Sequence, residues 1–253
     1  MKKLLTLGAG ILLPLLSYAQ IVMVEGRRLD DSLGWHGALT LELYNTKNTE
    51  RVYTLGGGSL IQYQQGDHRF LSLNNIRIIR NVDDENPNKE NKGYQHFRYN
   101  YAIDSFWTVE AFSQAQFDQV LRIGFRGLLG GGVRMNLIKQ EKNHLTLGLS
   151  GMFEYEEEKD TTVVHNDFRL SNYLSFEKEF NKIVTGSLIF YYQPLANNFS
   201  DYRISSGLNF NIKVSEHFAL NINASLIYDA QPVVDEDITN LTYSITNGIS
   251  YRF

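Results

Sequence analysis

The sequence predicts an all-β fold: a transmembrane, antiparallel, up-and-down β-barrel of about 12 strands. Three observations predict it. The chain opens with an export signal, the remainder divides into segments that alternate apolar and polar residues with period two, and the connections between those segments alternate in character.

The export signal comes first. Lys2 and Lys3 supply the charged start, Leu4 to Leu16 the apolar stretch, and Ser17-Tyr18-Ala19 the small residues that a signal peptidase reads. Residues 1–19 are therefore expected to be a signal peptide, cleaved after Ala19. The apolar stretch falls short of the roughly 20 residues that a spanning helix needs. With no cysteine after the signal, a lipid-anchored lipoprotein is not expected. With none anywhere, an exported domain must be held by something other than disulfides. A closed barrel meets that need, because every strand is hydrogen-bonded on both sides. The net charge of −4 gives no reason to expect nucleic acid as a partner. Residues 20–33, with Glu25, Arg27, Arg28, Asp30 and Asp31, read as a periplasmic N-terminal tail, and residues 34–253 as the barrel.

Composition agrees. Tyr and Phe number 15 each, Gly 20 and Pro 4, and no window past the signal is apolar enough for a helical span. In a membrane barrel, lumenal residues cancel the hydropathy of their lipid-facing neighbours. A soluble β-sandwich shares much of this composition, so pattern has to separate the two.

The last segment is the clearest. Leu241, Tyr243, Ile245, Ile249, Tyr251 and Phe253 share one face, with only Asn247 interrupting, and Thr242, Ser244, Thr246, Gly248, Ser250 and Arg252 the other. A final strand ending in Phe253, with Tyr251 two residues earlier, resembles the signal read by the barrel-assembly machinery. Further segments run over Gly34–Tyr44, Arg51–Tyr63, His68–Arg80, Gly93–Ile103, Phe106–Asp118, Leu121–Leu137, His144–Glu156, His165–Phe180, Ile183–Leu195, Asp201–Val214 and His217–Asp229, with Ile238–Phe253 closing the series. Each reaches the 9–11 residues of a tilted transmembrane strand. The third has no clean apolar face. Short connections such as Gln65-Gly66-Asp67 alternate with mostly longer, more polar ones at Asn81–Lys92, Glu157–Val164, Ala196–Ser200 and Ala230–Asp237, as in barrels with short periplasmic turns and longer outer loops. An even strand number puts both ends in the periplasm. Aromatics on the apolar face gather near strand ends: Trp35, Tyr63, Trp107, Phe218 and Tyr251 at one level, Tyr53, Tyr155, Tyr192, Tyr202 and Tyr228 at the other. Two girdles around an aliphatic band is the lipid-facing pattern, whereas a sandwich core would hold its aromatics mid-strand.

The inward face carries charge of both signs. Candidate lumen-lining residues are Arg98, Glu110, Gln114, Arg122, Arg126, Arg134, Glu154, Glu177 and Arg203. They line either a solute path or a ladder of Arg–Glu pairs that fills and braces the barrel. Small barrels are filled and large porins open, so twelve strands leave both readings standing. No catalytic, cofactor-binding or metal residues are expected. The histidines (His36, His68, His96, His144, His165, His217) lie in no recognisable nucleophile–base motif or metal-ligand spacing, which leaves a barrel hydrolase the least favoured reading. Gly56–Gly58 and Gly130–Gly132 fall inside strands, where glycine permits bending or close approach, rather than in phosphate-binding loops. The acidic runs Asp83-Asp84-Glu85, Glu156-Glu157-Glu158 and Asp235-Glu236-Asp237 read as solvated outer loops, with divalent ions bridging to lipopolysaccharide as the alternative. Outer-membrane lipid, lipopolysaccharide and the assembly machinery are the expected partners; the oligomeric state is open.

The run Gln95-His96-Phe97-Arg98-Tyr99-Asn100-Tyr101, then Glu110 to Gln116, then Arg126 to Arg134, resembles the YdiY-like salt-induced outer-membrane proteins, a family of unknown function, here in a Bacteroidetes-type form. Gly34-Trp35-His36-Gly37 and Asp201-Tyr202-Arg203 fit as well. The first hairpin departs from it, since Tyr44 stands where members often carry glycine before Asn-Thr. The resemblance implies a barrel in the outer membrane, with a salt-stress role carried by the family's name and no substrate.

Overall fold

The computed structural model describes residues 32–47, 51–81, 91–232 and 239–253. The signal peptide, residues 20–31 of the N-terminal segment, Asp83-Asp84-Glu85 and Asp235-Glu236-Asp237 lie outside the described residues. Twelve strands follow in order: β1 (Gly34–Lys47), β2 (Arg51–Gln65), β3 (His68–Asn81), β4 (Lys92–Ala102), β5 (Trp107–Asp118), β6 (Ile123–Lys139), β7 (Asn143–Glu158), β8 (Val164–Glu179), β9 (Val184–Leu195), β10 (Asn198–Lys213), β11 (Phe218–Asp229) and β12 (Leu241–Arg252). Each pairs antiparallel with its neighbours in sequence, and β12 returns to β1, closing the barrel. The seam is short, four paired residues on each terminal strand, and over that stretch it satisfies the backbone groups that an open edge would leave bare. Ala38 to Leu41 pair with Arg252 to Ile249, and Gly37 and Phe253 exchange backbone hydrogen bonds of 2.8 and 3.0 Å just beyond.

Alternation along each strand decides what faces lipid. In β5 the even-numbered residues Thr108, Glu110, Phe112, Gln114, Gln116 and Asp118 point inward, and Trp107, Val109 and Ala111 outward. The result is inverted relative to a soluble protein. Lys92, Gln62, Glu110 and Asp118 are among the most deeply buried side chains, while Leu43 is 72% and Ile245 66% exposed. A polar interior inside an apolar shell is stable only where the outside is hydrocarbon. The girdles are contiguous. The rings of Trp35, Tyr63, Phe70 and Tyr99 pack in sequence at the end of the barrel where β1 starts and β12 finishes, the end expected to face the periplasm, and those of Tyr192, Tyr202 and Tyr228 at the opposite end, the outer one in that orientation.

Two expectations need amendment. The connection expected over Ala196–Ser200 is only 196–197, because Asn198 already pairs with Leu195 and the register then slips before Tyr202. The outer loops are therefore not uniformly longer than the turns. Gly66, at φ +56°, makes the two-residue turn that pairs Gln65 with His68. The third strand has no clean apolar face because its pattern is reversed: Leu71 and Leu73 are buried inside, and Ser72 and Asn74 face outward.

Candidate lumenal site

The charged side chains converge because alternate residues of β4 to β10 all point to the axis. In the outer half, Glu154 on β7 is the hub. Arg203 Nη1 reaches its Oε1 at 2.8 Å, Arg169 Nε at 3.2 Å, and Arg126 Nε lies 3.8 Å from its Oε2. Each arginine has a second acid. Arg126 also binds Glu156, Arg203 meets Asp229 at 2.8 Å, and Arg169 meets Asp201 at 2.9 Å. The Arg203–Glu154 contact bridges non-adjacent strands, β10 to β7. In the other half, Arg98 pairs with Glu110 at 3.4 Å, and the Tyr173 hydroxyl donates to Glu110 at 3.0 Å, reaching from β8 to β5. Between the two groups, His96 Nδ1 meets Gln114 Oε1 at 2.9 Å, and Gln114 donates to Gln116. A cavity of about 40 Å³ remains beside Arg98, Arg126, Glu154, Tyr191, Gln193 and Arg203. That is room for one or two waters.

Glycine makes this packing possible. A Cβ on Gly148 would land in the Tyr173 ring, and one on Gly130 would strike Phe112 and Met152. The glycine run in β6 is thus a trough that neighbouring side chains fill.

The structure brings together most of the residues singled out from sequence. Arg98, Glu110, Gln114, Arg126, Arg134, Glu154 and Arg203 are buried in the lumen, and Glu177 is half-buried on its wall. Arg122 is a correction. Asp118 accepts the backbone N–H groups of Val120 and Leu121, the chain turns there, and Arg122 adopts φ 59°. Its side chain leaves the lumen and meets Asp160 on the next outer connection at 3.7 Å. Sequence reading missed Tyr173 and Tyr191, whose rings pack 5.3 Å apart inside the barrel. Strand parity could have found them, since they fall out of phase with lipid-facing Leu174, Phe176, Leu188 and Phe190.

The opposite wall is different. Asn209 and Asn211 of β10, Asn221, Asn223 and Ser225 of β11, Ser244, Thr246 and Gly248 of β12 and Thr40 of β1 point inward yet stay only half-buried. They hydrogen-bond sideways to one another, Asn209 to Asn223 at 2.6 Å, Asn211 to Asn221 at 2.8 Å and Ser225 to Ser244 at 2.7 Å. Each keeps solvent-accessible surface on its lumenal side. This neutral lane narrows at the outer end, at Ile227 and Thr242, and at the periplasmic end, at Ala219 and Ser250, all buried.

A family model described as a protein of unknown function, DUF481, matches residues 43–251. The chain belongs to this family. Among curated proteins no sequence match is found. Solved structures similar to this DUF481 member include the NanC porin (TM-score 0.54, 10% identity, 85% of this chain and 98% of that one). An outer-membrane channel from Pseudomonas putida F1 gives a TM-score of 0.54 at 9% identity, over 92% and 99% of the two chains. The translocator domain of the autotransporter NalP from Neisseria meningitidis gives 0.50 at 9% identity, over 88% of each. At these identities the likeness establishes the fold of outer-membrane barrels.

Proposed function

We propose that this DUF481 member is exported by its N-terminal signal peptide, resides in the outer membrane and is a non-enzymatic, narrow channel for small polar solutes. The observation that carries the reading is the unequal filling of the lumen. One wall, β4 to β10, is braced by paired charges, and the other, β10 to β1, presents half-buried amides and hydroxyls, with Glu42, paired to Arg77, at its β1 edge. Brace and path thus occupy different walls of one barrel. Neutral hydrogen-bonding groups replace the hydration of a small uncharged solute and give little ion selectivity. The NanC porin and the Pseudomonas putida channel, similar in fold, favour transport over catalysis. The motif series from Gln95 to Arg134 supports a place among the YdiY-like, salt-responsive members, of the Bacteroidetes type. Lipid and lipopolysaccharide are its surroundings, and Tyr251 and Phe253 its signal to the assembly machinery.

Purified barrel in planar bilayers, with parallel swelling of solute-loaded liposomes, tests this. Small, weakly selective conductance and permeation of small polyols are expected. A second reading, a sealed structural barrel, is favoured by the Tyr173–Glu110 strut and the buried lane ends. Silent bilayers at every voltage together with liposomes impermeable to polyols would establish it instead.

A further inference from the structure

We propose that the outer face of β2 to β5 is a self-association surface that seats a second copy of this chain within the membrane. At the middle of β2 to β4 the two faces of the wall exchange part of their character. Ala38, Leu60, Leu71, Leu73 and Tyr94 form an apolar cluster inside. Outside, Ser59, Asn74 and Gln95 stand side by side in register, and Ser72 and Ser113 flank Phe97 in the row beside them.

The tilt of the strands fixes the depth of this patch. A hydrogen-bonded row crosses a tilted barrel obliquely. The row through the patch starts at Tyr251, passes Leu39, Ser59, Asn74, Gln95, Ala115 and Gly127, and ends at Tyr155. Tyr251 belongs to the periplasmic girdle and Tyr155 to the outer one, so the three polar residues lie midway through the hydrocarbon. Asn74 donates to Ser59 at 3.1 Å and to Ser72 at 3.3 Å. Among the described residues the Gln95 amide has no hydrogen-bond partner, and it is exposed. Polar groups facing lipid at this depth are costly. On the far side of the barrel the same band holds Leu208, Leu220, Ile222, Leu226, Ile245 and Ile249, and its polar members, Ser206 and Asn247, are scattered among them rather than paired with one another.

Three features select a second copy as the occupant. No charged side chain lies on the central patch, so a charged partner finds no complement there. Asn, Gln and Ser each donate and accept, so a two-fold axis through the patch pairs every group with its own counterpart. The relief also fits itself. Gly57, where a Cβ would meet nothing within 4 Å, and Ser59, Ser72, Ala111, Ser113 and Ala115 make shallow ground, from which Phe97 stands out at 48% exposure. Small residues permit close approach of two membrane surfaces, and interfacial amides then hydrogen-bond across.

The chain has no cysteine, so single cysteines report proximity cleanly. Ser59→Cys, Ser72→Cys and Gln95→Cys on the patch, with Leu208→Cys and Ile222→Cys on the far wall, are each reconstituted into liposomes at low protein-to-lipid ratio and oxidised. Disulfide-linked dimers are expected from the patch and not from the far wall. Energy transfer between labelled copies is expected to show weaker association, on the order of 10-fold, for the pair Asn74→Leu and Gln95→Leu. Equal cross-linking at both walls, or no energy transfer on dilution in lipid, would overturn the proposal. So would capture of a different protein, rather than a second copy, by the patch cysteines in native membranes. The cysteine panel decides the matter even if the leucine pair fails to fold.

Discussion

Replacing Glu154 by Gln tests whether the charged wall is a brace. The substitution keeps the shape of the side chain and removes the charge that three arginines share. At the observed separations of 2.8, 3.2 and 3.8 Å, and an effective dielectric of about 20, the pairwise attractions are roughly 6, 5 and 4 kcal/mol. Most of that gross attraction is offset by the cost of taking the ions out of water. Removing one partner of a buried pair nevertheless costs about 3–5 kcal/mol, because the remaining charges stay behind. Here each arginine keeps another acid, Arg126 with Glu156, Arg203 with Asp229 and Arg169 with Asp201. The expected loss is therefore at the lower end, about 3 kcal/mol. Reversible urea unfolding of the barrel from lipid vesicles measures it, provided the slope of the transition is unchanged. A loss below about 1 kcal/mol would place the cluster with exposed ion pairs and refute the brace.

Gly148→Leu places a side chain in the Tyr173 ring. Overpacking of this kind is expected to cost about 1–3 kcal/mol by the same unfolding assay, and displacing the ring also removes the strut to Glu110. Tyr173→Phe, which keeps the ring and loses only the 3.0 Å hydrogen bond, is expected to cost about 1 kcal/mol. Gly37→Val drives a side chain into the Phe253 ring, which packs over Gly37 at the β1–β12 seam; the folded band of a heat-modifiable gel should then appear more slowly on refolding into lipid, with no such delay for Leu39→Val. In the periplasmic turn, the backbone N–H groups of Trp107 and Phe106 hold the Asp104 carboxyl below its usual range. A depressed folded value means that the contribution is complete above the unfolded value of about 3.9 and fades as pH falls through the folded value. Asp104→Asn should flatten that acid limb of stability below about pH 4, read by unfolding at stepped pH.

Most of the wall was legible because alternation carries the fold. The last strand, from Leu241 to Phe253, could be assigned face by face from its residues, and its register with β1 and β11 follows. Legibility failed where side chains broke parity. On β3, Leu71 and Leu73 turn inward and Asn74 outward, so a rule that sends apolar residues to lipid finds no answer there. The candidate site was legible as a list of charges and not as a set of partners. Sequence spacing places Glu154 on the inner face, but only the curvature of the closed sheet brings Arg203, three strands away, against it. Arg122 was misplaced for a local reason: an Asx turn at Asp118 ends β5 there, and β6 begins only at Ile123, one residue after Arg122.

The three unusual sectors of the barrel bear on one another. A barrel wall of uniform pattern, polar within and apolar without, gives no reason for one lipid-facing region to differ from another. Here the inside of β2 to β4 carries Leu60, Leu71, Leu73 and Tyr94, which removes that arc from any polar conduit. The charged wall across β4 to β10 closes a second arc, and the passage is left to the β10–β1 lane. The outer face of that lane is mostly large and aliphatic, at Leu208, Leu220, Ile222 and Ile249, with Asn247 and Ser206 as its polar members, which suits it to lipid. A dimer built on β2 to β5 would therefore set the two lanes on the lipid-facing sides, away from the seam. Cross-linking through Gln95→Cys should leave unit conductance per chain unchanged, since the seam it locks lies under the arc that does not conduct. A fall in conductance on cross-linking would show that the passage runs beneath β2 to β5, and the lane would lose its role.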